Sequence, residues 1–264
     1  MPEGDTVWLT AKRLHEAFAG EMLTQSDFRV PQLATADLSG RTVKEIHSRG
    51  KHILMRIDGG LTMHSHLRLD GTWRLGRGRL PKGGPAFQIR VILRTGSWVA
   101  AGYRVHDLAV VPTGQEHTLV GHLGPDLLGP DWDQAEAVRR IASTPDREIG
   151  DALLDQRNCA GIGNIYKAEV LFLSGLSPWT LVGDITDLAS VVGRAQRLLH
   201  ANRDRPEQVT TGINRRGQQL WVYDRRGQPC HRCGTPVQMA TQGEPPYERM
   251  TYWCPVCQPG TAAD

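Results

Sequence analysis

The 264-residue chain is 39% hydrophobic and 22% charged, the balance of a globular protein with one large or two modest domains, and no apolar run approaches the ~20 residues of a membrane span. Its N-terminal Pro2-Glu3-Gly4-Asp5 is acidic and lacks the apolar core of a signal peptide, so a cytosolic location is expected. The net charge of +3 is unevenly spread: residues 40–94 hold twelve Lys/Arg against three Asp/Glu and residues 104–155 four against ten, which suits one surface to a polyanion unless the basic stretch is only a solvated face.

Taken in chain order, Asp5 or Thr6 is expected to N-cap a first helix. Val7, Ala11, Leu14 and Phe18 recur at helical spacing and Gly20 ends the run. Short strand-like runs follow at 42–46, 52–57, 61–65, 71–75, 87–93 and 98–101. Asp58-Gly59-Gly60 and Arg94-Thr95-Gly96 are turn signals between them, and many short strands predict a sandwich or barrel. Residues 112–130, rich in Gly and Pro, read as a linker. Helical patterns then cover 133–143, 147–155, 164–173 and 185–202. From Trp221 onward short strands surround a cysteine cluster.

Four of the five cysteines lie in that tail, as Cys230-His-Arg-Cys233 and Cys254-Pro-Val-Cys257. Two CxxC pairs suit tetrahedral thiolate coordination of one structural zinc ion, with a redox pair or an iron–sulfur site as alternatives. Residues 237–252 would form a hairpin between the knuckles, its tip including residues 242–246. A segment this small cannot build its own core, so a metal would replace one. Cys159 stands apart beside apolar residues and reads as a buried small hydrophobe.

Other signals are individually weaker. Removal of Met1 is expected before so small a second residue, and Pro2 would then present a secondary amine. Such an amine gives a cationic iminium with a sugar aldehyde. The run from Asp155 to Tyr166 places glycines before a helix, as a phosphate-binding helix–turn–helix does or as a plain inter-helix turn does. Ser48-Arg49-Gly50-Lys51-His52 would project Lys51 from a tight turn, toward a phosphate or merely into solvent. His64 and His66 share a strand face and read as hydrogen-bonded or DNA-facing rather than metal-binding. Leu69, next to Arg68, is a wedge for a base stack or simply a turn leucine.

Together the Pro2-Glu3-Gly4-Asp5 start, the Ala160–Phe172 run AGIGNIYKAEVLF and the four-cysteine tail with Tyr252-Trp253-Cys254-Pro255 resemble the Fpg/Nei family of DNA glycosylase/AP lyases, more closely its endonuclease VIII branch. The resemblance spans roughly residues 2–258. It implies an α+β multidomain fold: an N-terminal β-sandwich catalytic domain with a flanking helix (1–122), a helix–two-turn–helix domain (131–222) and a four-cysteine zinc finger (223–258). It implies damaged DNA as partner, a monomer, Pro2 as nucleophile, Glu3 as general acid and Lys51 as catalytic lysine beside a phosphate. Asn164 and Arg249 would bind backbone phosphate, and Arg68 and Leu69 would fill the gap left by a flipped base. Removal of oxidised bases and β,δ-elimination through a Pro2 iminium would follow.

Departures from the pattern carry their own expectations. Tyr103-Arg104-Val105-His106-Asp107 replaces the Arg-Arg-Phe-Gly of the Fpg branch, which favours oxidised pyrimidines. Asp70 stands where the Nei branch has an aromatic, which opens single-stranded or bubble DNA as substrate. Residues 242–246 look inserted. The competing readings are a catalytically inactive zinc-ribbon DNA-binding protein on the same scaffold and, last, a metal-dependent nuclease.

Overall fold

The computed structural model describes residues 2–245 and 248–260; Met1 and Pro246, at the end of the expected finger tip, lie outside the described residues. The chain divides after His122 into two compact units. Among the described residues no helix is long and apolar enough to cross a membrane.

The first unit opens with α1 (Gly4–Phe18), whose Val7, Ala11, Leu14 and Phe18 are buried as their spacing demands. The helix starts earlier than its Asp5 or Thr6 signal. Glu3 occupies the N-cap position, its carbonyl accepting the Val7 N–H at 2.9 Å, and Asp5 falls in the first turn, where a carboxylate suits the helix dipole. Two four-stranded antiparallel sheets follow, in the orders β1-β6-β7-β5 and β2-β3-β4-β8. The strands are β1 (Gln25–Phe28), β2 (Val43–Arg49), β3 (His52–Ile57), β4 (Leu61–His66), β5 (Thr72–Arg77), β6 (Ile89–Arg94), β7 (Trp98–Tyr103) and β8 (Asp107–Pro112). One continuous core joins Met55, Met63, Trp73, Val91, Leu93 and Ala100 to the buried face of α1. β1 escapes sequence reading because Gln25, Ser26 and Asp27 are polar; its pairing with β6 makes it a strand.

The boundary between the two units falls inside the expected linker at 112–130, but the first part of that stretch is anchored. It contains a short helix α2 (His117–Val120). Glu116 accepts hydrogen bonds from Arg56 Nε and Nη2 at 2.9 and 2.8 Å and from Thr62 Oγ1 at 2.6 Å, which ties the segment to the sheet. The paired charges decide what the Gly/Pro composition could not.

The second unit holds α3 (Gln134–Ala142), α4 (Ile149–Leu154), α5 (Asn164–Ser174) and α6 (Leu188–Asn202), then the hairpin β9 (Gln238–Gln242) and β10 (Arg249–Trp253). Side-chain caps set two starts: Asp133 accepts the Glu136 N–H and Asp187 accepts the Ser190 N–H, which delays α6 beyond residue 185. Gly175, left-handed at φ +68°, ends α5. Cys159 is buried in the helical core.

Candidate functional site

The position of α1 fixes the N-terminus. Gly20 N–H donates to Val43 O at 2.8 Å and Ile46 N–H donates to His15 Nδ1 at 3.1 Å, so α1 runs antiparallel to β2. From His15 back to Gly4 the helix covers about 16 Å at 1.5 Å per residue. From Ile46 the strand runs forward about 10 Å at 3.3 Å per residue to its end at Arg49, and the two-residue turn adds about 3 Å more. Pro2 and Glu3 are therefore carried to the level of the β2–β3 turn that holds Lys51. That turn has two residues, Gly50 and Lys51, between the paired Arg49 and His52; Gly50 takes φ +57°, as the first position of a II′ hairpin turn requires. Glu3 is fully buried, whereas Pro2 and Lys51 are half-buried.

Beneath Lys51 lies a cluster of histidines. His52 Nδ1 and His64 Nε2 share a hydrogen bond at 2.7 Å, and the His66 and His122 rings lie 4.6 and 6.3 Å from that of His52. Burial and then the neighbouring imidazoles push His52 down to about 3, and burial pushes His64 down to about 4. His66 is lowered by burial as well. His52 and His64 are therefore neutral at pH 7. Among the described residues only the four tail cysteines form a metal-competent group, which favours the hydrogen-bonded reading of His64 and His66.

His66 leads into the loop that bears the expected wedge. Leu69 is 69% exposed between β4 and β5. Arg68 is not free to point at a partner: its Nε and Nη2 donate to Asp107 Oδ2 and Oδ1 at 2.6 and 3.0 Å. On the other side, Arg104 Nε donates to the Asp70 carbonyl at 3.2 Å and pairs with its carboxylate at 3.3 Å. Two reciprocal ion pairs thus lace the loop to residues 104–107. Arg68 and Arg104 both sit at positive φ, +50° and +53°, a conformation that costs a non-glycine residue free energy and that these ion pairs hold. The sequence marks Arg104 and Asp107 only as part of a departure from the Fpg motif and not as ion-pair partners; a charged pair 34 to 39 residues apart has no local signature.

In the second unit, the glycine-rich turn before α5 is braced from within. Gln156 donates to Leu154 O and Ile162 O and accepts the Gly161 N–H at 3.0 Å. Asn164 begins α5 and is 7% exposed, its Nδ2 donating to Met250 O at 2.8 Å. Its Oδ1 is buried with no partner among the described residues. Asn164 is thereby brought beside β10, whose first residue is the exposed Arg249. The two expected phosphate ligands of this unit are neighbours, although one N–H of the Asn164 amide is already committed to the strand.

The buried Lys167 was not foreseen as a functional group. Its Nζ donates to Thr251 Oγ1 at 2.6 Å and to Gln242 Oε1 at 3.4 Å, and Gln242 Nε2 donates to Glu148 Oε2 and Pro178 O, both at 2.8 Å. Gln242, read as part of an inserted tip, is the 3% exposed centre of a network joining α5 to the hairpin. Glu169, two residues on, faces the opposite approach. It is fully buried and accepts the N–H groups of Trp221, Val222 and Tyr223 at 2.7 to 3.0 Å, together with the Thr210 hydroxyl. Burial raises its carboxyl above the ordinary range while these donors oppose the rise.

Cys230, Cys233, Cys254 and Cys257 place their sulfur atoms within 4.8 Å of one another, the spacing that four ligands of one tetrahedral ion take. The hairpin does not rely on a metal alone for its packing. Cys230, Val237 and Cys254 join Ala168 and Phe172 of α5 in one small core, and Arg232 covers the Phe172 ring at 4.4 Å.

The sequence compares with known proteins along its whole length. Residues 1–107 match the model of the formamidopyrimidine-DNA glycosylase N-terminal domain, and residues 123–204 match that of the formamidopyrimidine-DNA glycosylase H2TH domain. The chain is 56% identical to a probable endonuclease 8 2 of Streptomyces coelicolor, covering 99% of this chain and 95% of that protein. It is 47% identical to the DNA-(apurinic or apyrimidinic site) lyase Nei2 of Mycolicibacterium smegmatis, covering 98% and 99%. The fold is shared with Lactococcus lactis Fpg, solved in complex with a DNA containing N7-benzyl-Fapy-dG, at a TM-score of 0.81 and 24% identity over 98% of this chain and 100% of that one.

Proposed function

Because the chain belongs to the formamidopyrimidine-DNA glycosylase (Fpg/Nei) family, in its endonuclease VIII-like branch, we propose that Pro2, freed by removal of Met1, is its nucleophile. The protein is a DNA glycosylase/AP lyase of base-excision repair. The observation that carries the assignment of Pro2 is the antiparallel seat of α1 on β2, which brings the N-terminus to the level of Lys51.

The reaction follows from that placement. The Pro2 nitrogen attacks C1′ of the damaged nucleotide, and the base departs with the electrons of the glycosidic bond and takes up the proton that the Pro2 amine loses. As the sugar ring opens, O4′ takes a proton from Glu3 and the Pro2–C1′ bond becomes an iminium. The cation acidifies C2′; loss of that proton expels the 3′ phosphate, and a second elimination expels the 5′ phosphate. Burial of Glu3 beside Pro2 suits a carboxyl that delivers and recovers a proton. Lys51 faces a lesion-strand phosphate as a compact charge. The sandwich is the catalytic part, the helical region and the finger hairpin are the phosphate-binding parts, and Asn164 and Arg249 are the contacts. Such contacts position the duplex and carry no sequence information.

The target is a nucleotide in damaged duplex DNA, turned out of the stack, with Leu69 entering the gap. Oxidised pyrimidines are the favoured bases, and the protein acts as a monomer in the cytoplasm. The four thiolates suit one zinc ion, held by Cys230, Cys233, Cys254 and Cys257; when bound it closes the finger and, with every position taken by cysteine, leaves none open for chemistry.

Borohydride reduction tests the nucleophile. Protein whose N-terminal mass shows Met1 removed should form a covalent adduct with an abasic-site oligonucleotide, linked through the N-terminal proline. No adduct with such protein would sink the lyase mechanism and leave the inactive DNA-binding reading.

A further inference from the structure

Phe87 and Leu69 are the two most exposed large apolar side chains among the described residues, at 77% and 69%. Leu69 has a role in the reading above; Phe87 has none. A phenyl ring left in water is unfavourable, and on a loose segment it would fold back onto the protein. The segment bearing Phe87 is not loose. Gln88 N–H donates to Pro85 O at 3.0 Å, Arg104 N–H donates to Gln88 O at 2.8 Å, and Arg90 Nη1 donates to the carbonyl of Phe87 itself at 2.7 Å. Further back, Tyr103 Oη donates to Pro81 O at 2.7 Å, which lays the segment over the sheet. The register of β6 against β7 shifts between Ile89 and Val91, immediately after the turn, as a bulge does when it redirects a strand end. The backbone is pinned and the ring is presented.

Arg104 joins this turn to the Leu69 loop. Its N–H holds Gln88, its guanidinium holds Asp70, and its backbone is left-handed to do both. Phe87 and Leu69 are each one residue from a group that Arg104 binds. The charge around them favours a polyanion with a flat apolar face: residues 71–94 contain six Lys/Arg and no Asp/Glu. Asp70 and Asp107, the acids of this edge, are both paired with arginines. Nucleic acid offers phosphate and stacking faces together.

We infer that Phe87 is a second DNA-contacting side chain, stacking on a nucleobase beside the gap that Leu69 enters, and that Arg104 is the positioning residue that holds the two in register. The inference rests on the reading of Leu69 as a wedge. It supplies the aromatic that Asp70, one residue from Leu69, cannot.

The test is the affinity of the zinc-loaded, full-length protein for a duplex carrying a tetrahydrofuran abasic analogue, read by fluorescence anisotropy. Phe87→Ala should weaken binding by about 5- to 150-fold, the range for loss of one base–aromatic stack. Phe87→Trp should restore it, and both variants should unfold at the wild-type temperature because the ring is exposed. Arg104→Ala should also weaken binding, and adding Phe87→Ala to it should cost less than Phe87→Ala alone, since the ring is by then out of place. If Phe87→Ala binds within twofold of wild type while Leu69→Ala is impaired, the inference falls alone, and the exposed ring belongs to a protein contact instead. If Leu69→Ala also binds as wild type, the wedge reading falls and takes the inference with it.

Discussion

His15 Nδ1 accepts the backbone N–H of Ile46 at 3.1 Å, a side-chain bond that helps register the first helix against the strand leading to Lys51. His15→Ala leaves that N–H without its acceptor, at a cost of about 1–3 kcal/mol. Denaturant unfolding should show the loss. Borohydride trapping of an abasic oligonucleotide should slow by more than the change in DNA affinity, because α1 carries Pro2. Equal loss of both would mean that the register of α1 does not govern the chemistry.

Glu3→Gln keeps the size of the buried side chain and removes its proton. Single-turnover strand cleavage should fall by about 10²- to 10⁴-fold, the contribution typical of a positioned acid or base. Binding to a tetrahydrofuran duplex should change little. A cleavage rate within threefold of wild type would remove Glu3 from the proton path.

The neutral His52 and His64 make the first unit sensitive to acid. His52 and His64 titrate near 3 and 4 when folded and near 6.5 when unfolded. Between these values the unfolded chain binds more protons, so their contribution to stability is complete above about pH 6.5 and is lost as pH falls toward the folded values. The slope is at most about 1.4 kcal/mol per pH unit for each histidine. Thermal unfolding from pH 7 to pH 4.5 should show a falling midpoint, and a His52→Asn/His64→Gln double variant should flatten it. An unchanged slope in that variant would assign acid sensitivity elsewhere.

Asp107 neutralises Arg68 through two hydrogen bonds. Asp107→Asn should release that guanidinium to a phosphate and tighten binding to undamaged duplex. The slope of log K against log salt should steepen by about 0.9, one added phosphate contact. An unaltered slope would mean that Arg68 stays clear of the DNA.

Gln242 holds the finger hairpin beside whatever ion its four cysteines bind. Gln242→Ala strips Glu148, Pro178 and Lys167 of a buried partner and should free β9 and β10 to exchange amide hydrogens faster with zinc still bound. Removing the zinc with a strong chelator should accelerate the same amides further and abolish tight DNA binding. Wild-type exchange in Gln242→Ala would make the metal the sole anchor of the hairpin.

Local chemistry made much of the molecule readable before its structure. The spacing of Val7, Ala11, Leu14 and Phe18 determines a helix with one buried face, short apolar runs between turn signals determine most of the sandwich strands, and paired CxxC knuckles determine a metal-competent tail. These signals work because each is written within a few residues by the period of a helix, a strand or a chelate ring. Tertiary structure alone decided the rest. It placed Glu116 on Arg56 and anchored the first part of an expected linker. It buried Gln242, the last residue of β9, in a hairpin whose tip looked like an insertion, and gave Arg68 to Asp107 rather than to solvent. It also joined Phe87 to the Leu69 loop through Arg104. In each case the deciding partner is 16 or more residues away, and a charged or amide side chain reveals nothing of its partner until the fold brings the two within hydrogen-bonding distance.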